Sequence, residues 1–435
     1  MEEMGPEDDR ELLEVLFRAA VDSVDPYKSV LRHAGRVRSA YADGGFRRLL
    51  VVALGKAAYL MSKAAEEALG DILHSGVAIT KYGHVPPGGG LDKVRLFEAG
   101  HPVPDENGLR AAKEAMDLAR AADRGTLTLC LMSGGGSALL VSPAEGITLA
   151  EKQAITDMLL RAGADIGQLN TVRKHLSRVK GGRFAELAYP SKVISLILSD
   201  VLGDRLDVIA SGPTAPDGTT YGEALAVVDR YGLSGKAPRA VIQCLRRGAE
   251  GGLAETPKAG SPALQGVENI IIGANRVALE AAKDEARRAG LDAGIITAAL
   301  QGEAREAGRW LAREARSLPA GRRLLISGGE TTVTVRGAGT GGRNTELALA
   351  FAIEAEGLGG VTLLSAGTDG NDGPTDAAGA FADGSTVRRA RARGLEATEY
   401  LENNDSYSFF KAAGGLFVTG PTGTNVMDVQ MVLRR

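Results

Sequence analysis

The chain has 435 residues and a net charge of −3, more than one ordinary hydrophobic core supports, so two or three domains are expected. With 44% apolar and 24% charged residues it reads as globular, and slight acidity with only 4% aromatics argues against a nucleic-acid partner. No apolar run reaches the length of a membrane span, and five histidines at no metal spacing argue against zinc.

The acidic start, Met1 to Asp9, lacks the charged-then-apolar order of a signal peptide, so a cytoplasmic location is expected. Residues Asp9 to Val24 predict an amphipathic helix with Leu12, Leu13, Leu16, Phe17 and Ala20 on one face. Strand Leu49–Leu54 then meets Gly55-Lys56 and a helix from about Ala57 to Leu69. A short strand, Gly76–Thr80, the loop Lys81–Gly90 and strand Val94–Glu98 follow. The segment Gly100-His101-Pro102-Val103-Pro104-Asp105 leads into a helix carrying Leu109, Ala112, Met116 and Ala119. Strand Thr126–Met132, which contains Cys130, runs into Ser133-Gly134-Gly135-Gly136-Ser137, and strand Lys192–Leu198 ends in Ser199-Asp200. Cys130 and the distant Cys244 read as buried free thiols. The alternation implies a mainly parallel sheet covered on both faces.

The Gly-, Ala- and Pro-rich stretch 246–265 reads as a linker between domains 1–245 and 266–435. Beyond it lie strand Asn269–Ile272, the turn Gly273-Ala274-Asn275, helix Val277–Ala289, and a helix opened by Gly302-Glu303. Shorter strands with less helix between them follow. The expected architecture is two α/β domains, the second smaller and with a mixed sheet, with a cleft between them.

Four glycine-rich loops crowd the last hundred or so residues, most at the end of an apolar run. They are Ser327-Gly328-Gly329-Glu330, Gly339-Thr340-Gly341-Gly342-Arg343-Asn344, Gly367-Thr368-Asp369-Gly370-Asn371-Asp372-Gly373, and Thr419-Gly420-Pro421-Thr422-Gly423-Thr424-Asn425. Glycines let backbone approach a ligand and expose N–H groups to phosphate or carboxylate oxygens. A small anionic ligand is therefore expected.

Lys56 stands at a strand's carboxyl end, where α/β sheets bind ligands, though Gly55-Lys56 is not a Walker A loop. A lysine is unfavourable at the positive end of a helix dipole, which points to a nearby anion. The run Ser133, Gly134, Gly135, Gly136, Ser137 opens a helix and suits phosphate cradling. It is not a nucleophile elbow, because Leu139 stands two positions after Ser137. Asp200 could bind Mg²⁺ or accept a proton from a substrate hydroxyl, or merely cap the next turn. Arg343, preceded by glycines, offers a bidentate fork to an anion. Asp369 and Asp372 fail the calcium-loop pattern, since the twelfth position is Ala380, and fit ligand or Mg²⁺ contact. His101 reads as a structural loop residue.

At these residues the chain resembles the class II glycerate kinases, whose C-terminal half carries the MOFRL domain. The resemblance runs through Ala53-Leu54-Gly55-Lys56-Ala57, Gly100–Asp105, Met132–Ala138, Ser199-Asp200-Val201, Ala210-Ser211-Gly212-Pro213-Thr214, Ser327–Val333, Gly341–Asn344, Ser365–Gly370 and Gly420–Val426. It implies a Rossmann-like N-terminal domain facing the smaller one across the active-site cleft. It also implies ATP- and Mg²⁺-dependent phosphorylation of D-glycerate to 2-phosphoglycerate. Lys56, Asp200 and Arg343 are the catalytic residues it carries over. Gly55, Asn275, Glu330, Asn344, Asp369, Asp372 and the Ser133–Ser137 loop would complete substrate and nucleotide binding. No metal ligands are assigned, and a homo-oligomer is left open. Two rivals stand beside this: an NAD(P)-dependent hydroxypyruvate reductase, against which no G-x-G-x-x-G follows an early strand, and a non-catalytic anion-binding protein.

Overall fold

The apolar runs form the middle strands of two sheets. The computed structural model describes residues 6–319 and 321–435, and the chain divides into two compact units. One unit is Pro26–Ile272; the other, smaller one joins Gly273–Arg435 to the residues up to Asp25. Residues 1–5, where the acidic start begins, lie outside the described part.

In the larger unit six strands, β1 (Arg48–Leu54), β2 (Leu73–Lys81), β3 (Val94–Ala99), β4 (Thr126–Met132), β5 (Lys192–Leu198) and β6 (Val267–Gly273), lie in the order β3-β2-β1-β4-β5-β6. The pairs β1–β2, β2–β3, β1–β4 and β4–β5 are parallel. Alternate residues feed two cores, as the period of a strand requires. Val51, Ala53, Leu129, Leu131, Ile194 and Leu196 pack with the helices Pro26–Asp43 and Ala58–Leu69. Val52, Leu54, Cys130, Met132 and Ile197 pack with Glu106–Arg120 and Phe184 on the other face. This is the strand order of the Rossmann fold, and the chain reverses its direction of travel across the sheet between β1 and β4.

A helical layer that strand-centred periodicity passes over completes this unit. Helices Leu149–Arg161, Ile166–His175, Tyr221–Arg230 and Arg239–Ala249 surround Ile155, Leu159, Val172, Val228, Val241 and Leu245.

The smaller unit holds β7 (Asp292–Leu300), β8 (Arg323–Gly329), β9 (Val361–Gly367), β10 (Gly379–Asp383), β11 (Leu416–Phe417) and β12 (Asp428–Arg434), in the order β11-β10-β9-β12-β8-β7. Only β7 and β8 pair in parallel, so the sheet is mixed, as expected.

The division of the chain differs from the expected 1–245, 246–265 and 266–435. The N-terminal helix, Pro6–Ser23, joins the smaller unit because its apolar stripe of Leu13, Leu16, Phe17 and Ala20 packs on Leu279, Ala282, Ile326 and Met431. Asp9 and Arg435 pair near the two chain ends. Residues 246–265 are not a free linker. Thr256 is buried, the Tyr221 N–H donates to Glu255 at 2.9 Å, and the Asp217 N–H donates to the Pro257 carbonyl at 2.9 Å. Hydrogen bonds hold this segment where apolar contacts are scarce. Both cysteines are buried and free. No helix among the described residues is long and apolar enough to cross a membrane.

Candidate active site

In the larger unit the site grows from the ends of β1 and β4. The Ser133 N–H donates to the Leu54 carbonyl at 3.0 Å, Lys56 N–H to the Gly134 carbonyl at 2.8 Å, and Ala57 N–H to Ser133 Oγ at 3.0 Å. These bonds lace two loops together at the point where α/β sheets open a crevice. Gly55, at φ 118°, has no room for a side chain, since a Cβ there would stand 2.2 Å from Ser133 Oγ. A Cβ on Gly134 would stand 2.2 Å from Asp200 Oδ2, and one on Gly135, at φ 84°, 2.9 Å from the His101 ring and 3.4 Å from Lys56 Cγ. The glycines thus make room for Ser133, Asp200, His101 and Lys56. Lys56, Ser133 and Asp200, three of the expected residues, stand around one loop.

His101, read as a structural loop residue, lies in a loop and stands beside them. Burial, and then the charges of Lys56, Lys81 and His84, push its imidazole down to about 4. It is therefore neutral near pH 7, able to donate or accept one hydrogen bond beside Lys56. The signal was present in Gly100–Asp105, a loop of the same kind as the others. Thr80 Oγ1 donates to the Lys56 carbonyl at 3.2 Å, and His84 Nδ1 lies 3.0 Å from the same oxygen. Among the described residues no carboxylate pairs with the Lys56 ammonium.

In the smaller unit one sheet edge gathers the charged loops. Asp428, the first residue of β12, sits in register with Gly329 at the end of β8 and Gly367 at the end of β9. Arg343, the first residue of helix Arg343–Glu354, grips it bidentately, Nε to Oδ2 at 2.6 Å and Nη2 to Oδ1 at 2.9 Å. Arg343 Nη1 also lies 3.0 Å from the exposed Glu330 carboxylate. Burial pushes the fully enclosed Asp428 up to about 6 against the pull of Arg343. Arg343 itself is lowered by burial but raised more by Asp428 and Glu330, so the pair is ionised near neutral pH. Asp428 was not foreseen. Its one signal is an acid immediately before the last apolar run, two residues past Val426.

Three expected binding residues have other work. Asp372 is 1% exposed and accepts from the N–H groups of Asn344 (2.9 Å) and Thr345 (2.8 Å) and from Thr345 Oγ1 (2.8 Å). The helix begins after Gly342, which has no side chain to cap it, so Asp372 satisfies the orphan N–H groups from the next loop. Asn344, also 1% exposed, is tied between Asp372 and Ser365 Oγ, the latter at 2.7 Å. Asn275, 2% exposed, donates to the carbonyls of Val426 and Asp428, both at 2.9 Å, and so fixes the backbone around Asp428. All three are held within the sheet edge by these bonds. Asp369 is half-buried and accepts from the Asn371 N–H at 3.1 Å, leaving it near the surface of its loop.

No three His, Cys, Asp or Glu side chains gather into a metal cage among the described residues. Mg²⁺ commonly takes one or two carboxylates with substrate phosphates and water. Single carboxylates such as Asp200 beside a glycine loop fit that pattern.

Residues 12–246 match a family described as a domain of unknown function (DUF4147), and residues 323–428 match the MOFRL family. The chain is 46% identical over 432 residues to the D-glycerate 2-kinase of Thermotoga maritima, covering 98% of each. It is 40% identical over 438 residues to the glycerate 2-kinase of Pyrococcus horikoshii, covering 98% of this chain and 97% of that one. The crystal structure of a glycerate kinase from Thermotoga maritima matches it with a TM-score of 0.89 at 46% identity, over 99% of this chain and 100% of that one.

Proposed function

The chain belongs to the glycerate 2-kinase family, and from that premise we infer that its glycine loops serve transfer of a phosphoryl group from ATP to D-glycerate, giving 2-phosphoglycerate. The observation that carries this is the near-full-length identity to a D-glycerate 2-kinase. The loops laced across the ends of β1 and β4 are the local geometry that agrees with it.

Phosphoryl transfer asks little covalent chemistry of the protein; it asks for positioning and charge neutralisation. Bound MgATP supplies the phosphoryl group and a metal charge that offsets its oxygens. Lys56 and Arg343 bind the transferring phosphoryl and the glycerate carboxylate, in one order or the other. Asp200, pressed against Gly134, orients or deprotonates the attacking hydroxyl or holds Mg²⁺. Ser133, Gly135 and Ser137 line the phosphate side of the loop. In the smaller unit Asp428 and Asn275 aim Arg343, whose fork keeps N–H groups beyond those given to Asp428 and Glu330.

The test is to incubate the purified protein with D-glycerate and MgATP and identify the product by phosphorus NMR. A 2-phosphoglycerate signal is expected; the 3-phospho isomer would overturn the regiochemistry. Intact ATP, together with NADH oxidation by hydroxypyruvate, would replace the kinase with the reductase.

A further inference from the structure

Behind the glycine loop of the larger unit lies a group of buried cations. Arg173 and Lys174 close helix Ile166–His175, Lys180 follows in the next loop, and Lys152 comes from helix Leu149–Arg161. Lys174 has acid partners, Asp217 at 3.3 Å and Asp207 at 3.6 Å, and its neighbour His175 lies 3.2 Å from Glu255. Among the described residues Lys152, Arg173 and Lys180 have no such carboxylate. Lys152 donates to the Leu176 carbonyl at 2.7 Å and Lys180 to the Ser137 carbonyl at 2.6 Å, dipoles in place of a counter-charge. Burial, and then neighbouring Arg173, push Lys152 down to about 7, and Lys180 is driven further from its ordinary range by burial, Arg173 and Lys152. Leaving a buried cation without an opposite charge is costly, and here adjacent residues show that acids were available to the fold.

The hydroxyl of Ser137 is where the group meets the loop. It accepts from Lys180 Nζ at 3.0 Å and from Arg173 Nη2. Its own proton therefore goes to Ser211 Oγ, 2.7 Å away, which in turn donates to Asn170 Oδ1 at 3.1 Å. Lys180 Nζ faces three protein oxygens, two of Ser137 and the Leu140 carbonyl, so Lys180 is spent on the loop. Arg173 differs. Its side chain is less enclosed than that of Lys180, and among the described residues Ser137 Oγ is the one acceptor of its guanidinium, which leaves most of its N–H groups without a protein acceptor there. A planar fork with free N–H groups takes an oxyanion bidentately.

We propose that Arg173 binds a substrate oxyanion at the Ser137 end of the glycine loop, with Lys180 a positioning residue that holds Ser137. The oxyanion is the glycerate carboxylate or a nucleotide phosphate; that choice rests on the kinase reading, whereas the existence of the anion site does not.

Two readouts on the full-length protein separate the possibilities: steady-state kinetics in both substrates, and the melting temperature with added inorganic phosphate. In Arg173→Ala the KM of one substrate should rise about tenfold to a hundredfold while the other hardly moves, the loss of a charged hydrogen-bond pair. A shift in the D-glycerate KM assigns the carboxylate, and a shift in the ATP KM assigns the phosphate. Phosphate should raise the melting temperature of the parent protein and not that of Arg173→Ala. If the parent shows this anion effect but turns nothing over, the site stands and the kinase reading falls. If the parent is an active kinase and Arg173→Ala keeps both KM values and kcat, the kinase stands and this proposal falls. Lys180 is buried deeply enough that its variants can fail to fold, which leaves Arg173→Ala as the decisive change. In a Lys180→Met protein that melts like the parent, phosphate stabilisation should shrink; an undiminished effect overturns the positioning role.

Discussion

The two units present their cations in opposite ways. In the larger one Lys56 and Arg173 stand at a glycine loop with no carboxylate paired to them among the described residues. In the smaller one Arg343 is clamped by a buried aspartate and touched by a surface glutamate. An unpaired cation in a partly enclosed site carries an unmet charge until an anion arrives, so its chief gift is attraction. A clamped cation has its charge offset in advance, so its chief gift is aim. The contrast predicts that counter-charge, rather than residue type, separates binding from orientation in this molecule.

Removing an unpaired cation should do the most damage to turnover and little to stability, because no ion pair with another described residue is lost with it. Lys56→Ala is expected to lower kcat/KM on the order of a thousandfold, as loss of transition-state charge stabilisation does. A value near the parent's would show that Lys56 is not catalytic. Gly134→Ala comes next. Its new Cβ would stand 2.2 Å from Asp200 Oδ2, so the carboxylate must swing away. A displacement of about an ångström costs on the order of a hundredfold, and it should appear in kcat. Unchanged kcat in a folded Gly134→Ala protein would remove Asp200 from the reaction.

The clamp predicts a pH effect with two signs. Asp428 is ionised above about 6 and holds Arg343; as pH falls through that value it takes up a proton and the hold loosens. Activity should therefore fall on the acid side, and Asp428→Asn should erase that limb at a cost of about tenfold at higher pH. Stability runs the other way. Because the carboxyl lies above its ordinary 3.8 in the folded protein, the folded state binds a proton that the unfolded chain does not between about 6 and 4. This contribution is fully present below the unfolded value and is lost as pH rises through about 6. Melting curves of the parent minus those of Asp428→Asn isolate it from other groups. If both proteins share the same acid limb of activity, Asp428 does not control Arg343.

Much of this contrast could be read from the chain, and the part that could not has a physical reason. An apolar run ending in glycine is a local signal. Strands β1, β4 and β5 follow their apolar runs within a residue, and the loops carrying Lys56, Ser133 and Asp200 meet at their carboxyl ends. Asp428 is different, because it matters only through register with Gly329 and Gly367, each some sixty or more residues away. Asp372 looked like a ligand contact because an acid among glycines has two uses. In the structure it caps, because Gly342 leaves a helix end bare. The N-terminal helix shows the same limit. Its apolar stripe was plain, but nothing local says which core it will cover.

Glu330 offers the mildest and most discriminating change. It forms the outer half of the clamp, its side chain is 50% exposed, and water and salt screen it. Asp428 alone makes both strong bonds to Arg343, so Glu330→Gln should leave the guanidinium in place. It also removes a negative charge from the approach of an anionic substrate. The expected result is a kcat/KM raised by no more than about threefold at low ionic strength, fading as salt is added. A loss as large as that of Lys56→Ala would mean that Glu330 touches substrate or metal directly. The smaller unit would then bind with its acids as well as aim with them, and the division of labour between the two units would have to be redrawn.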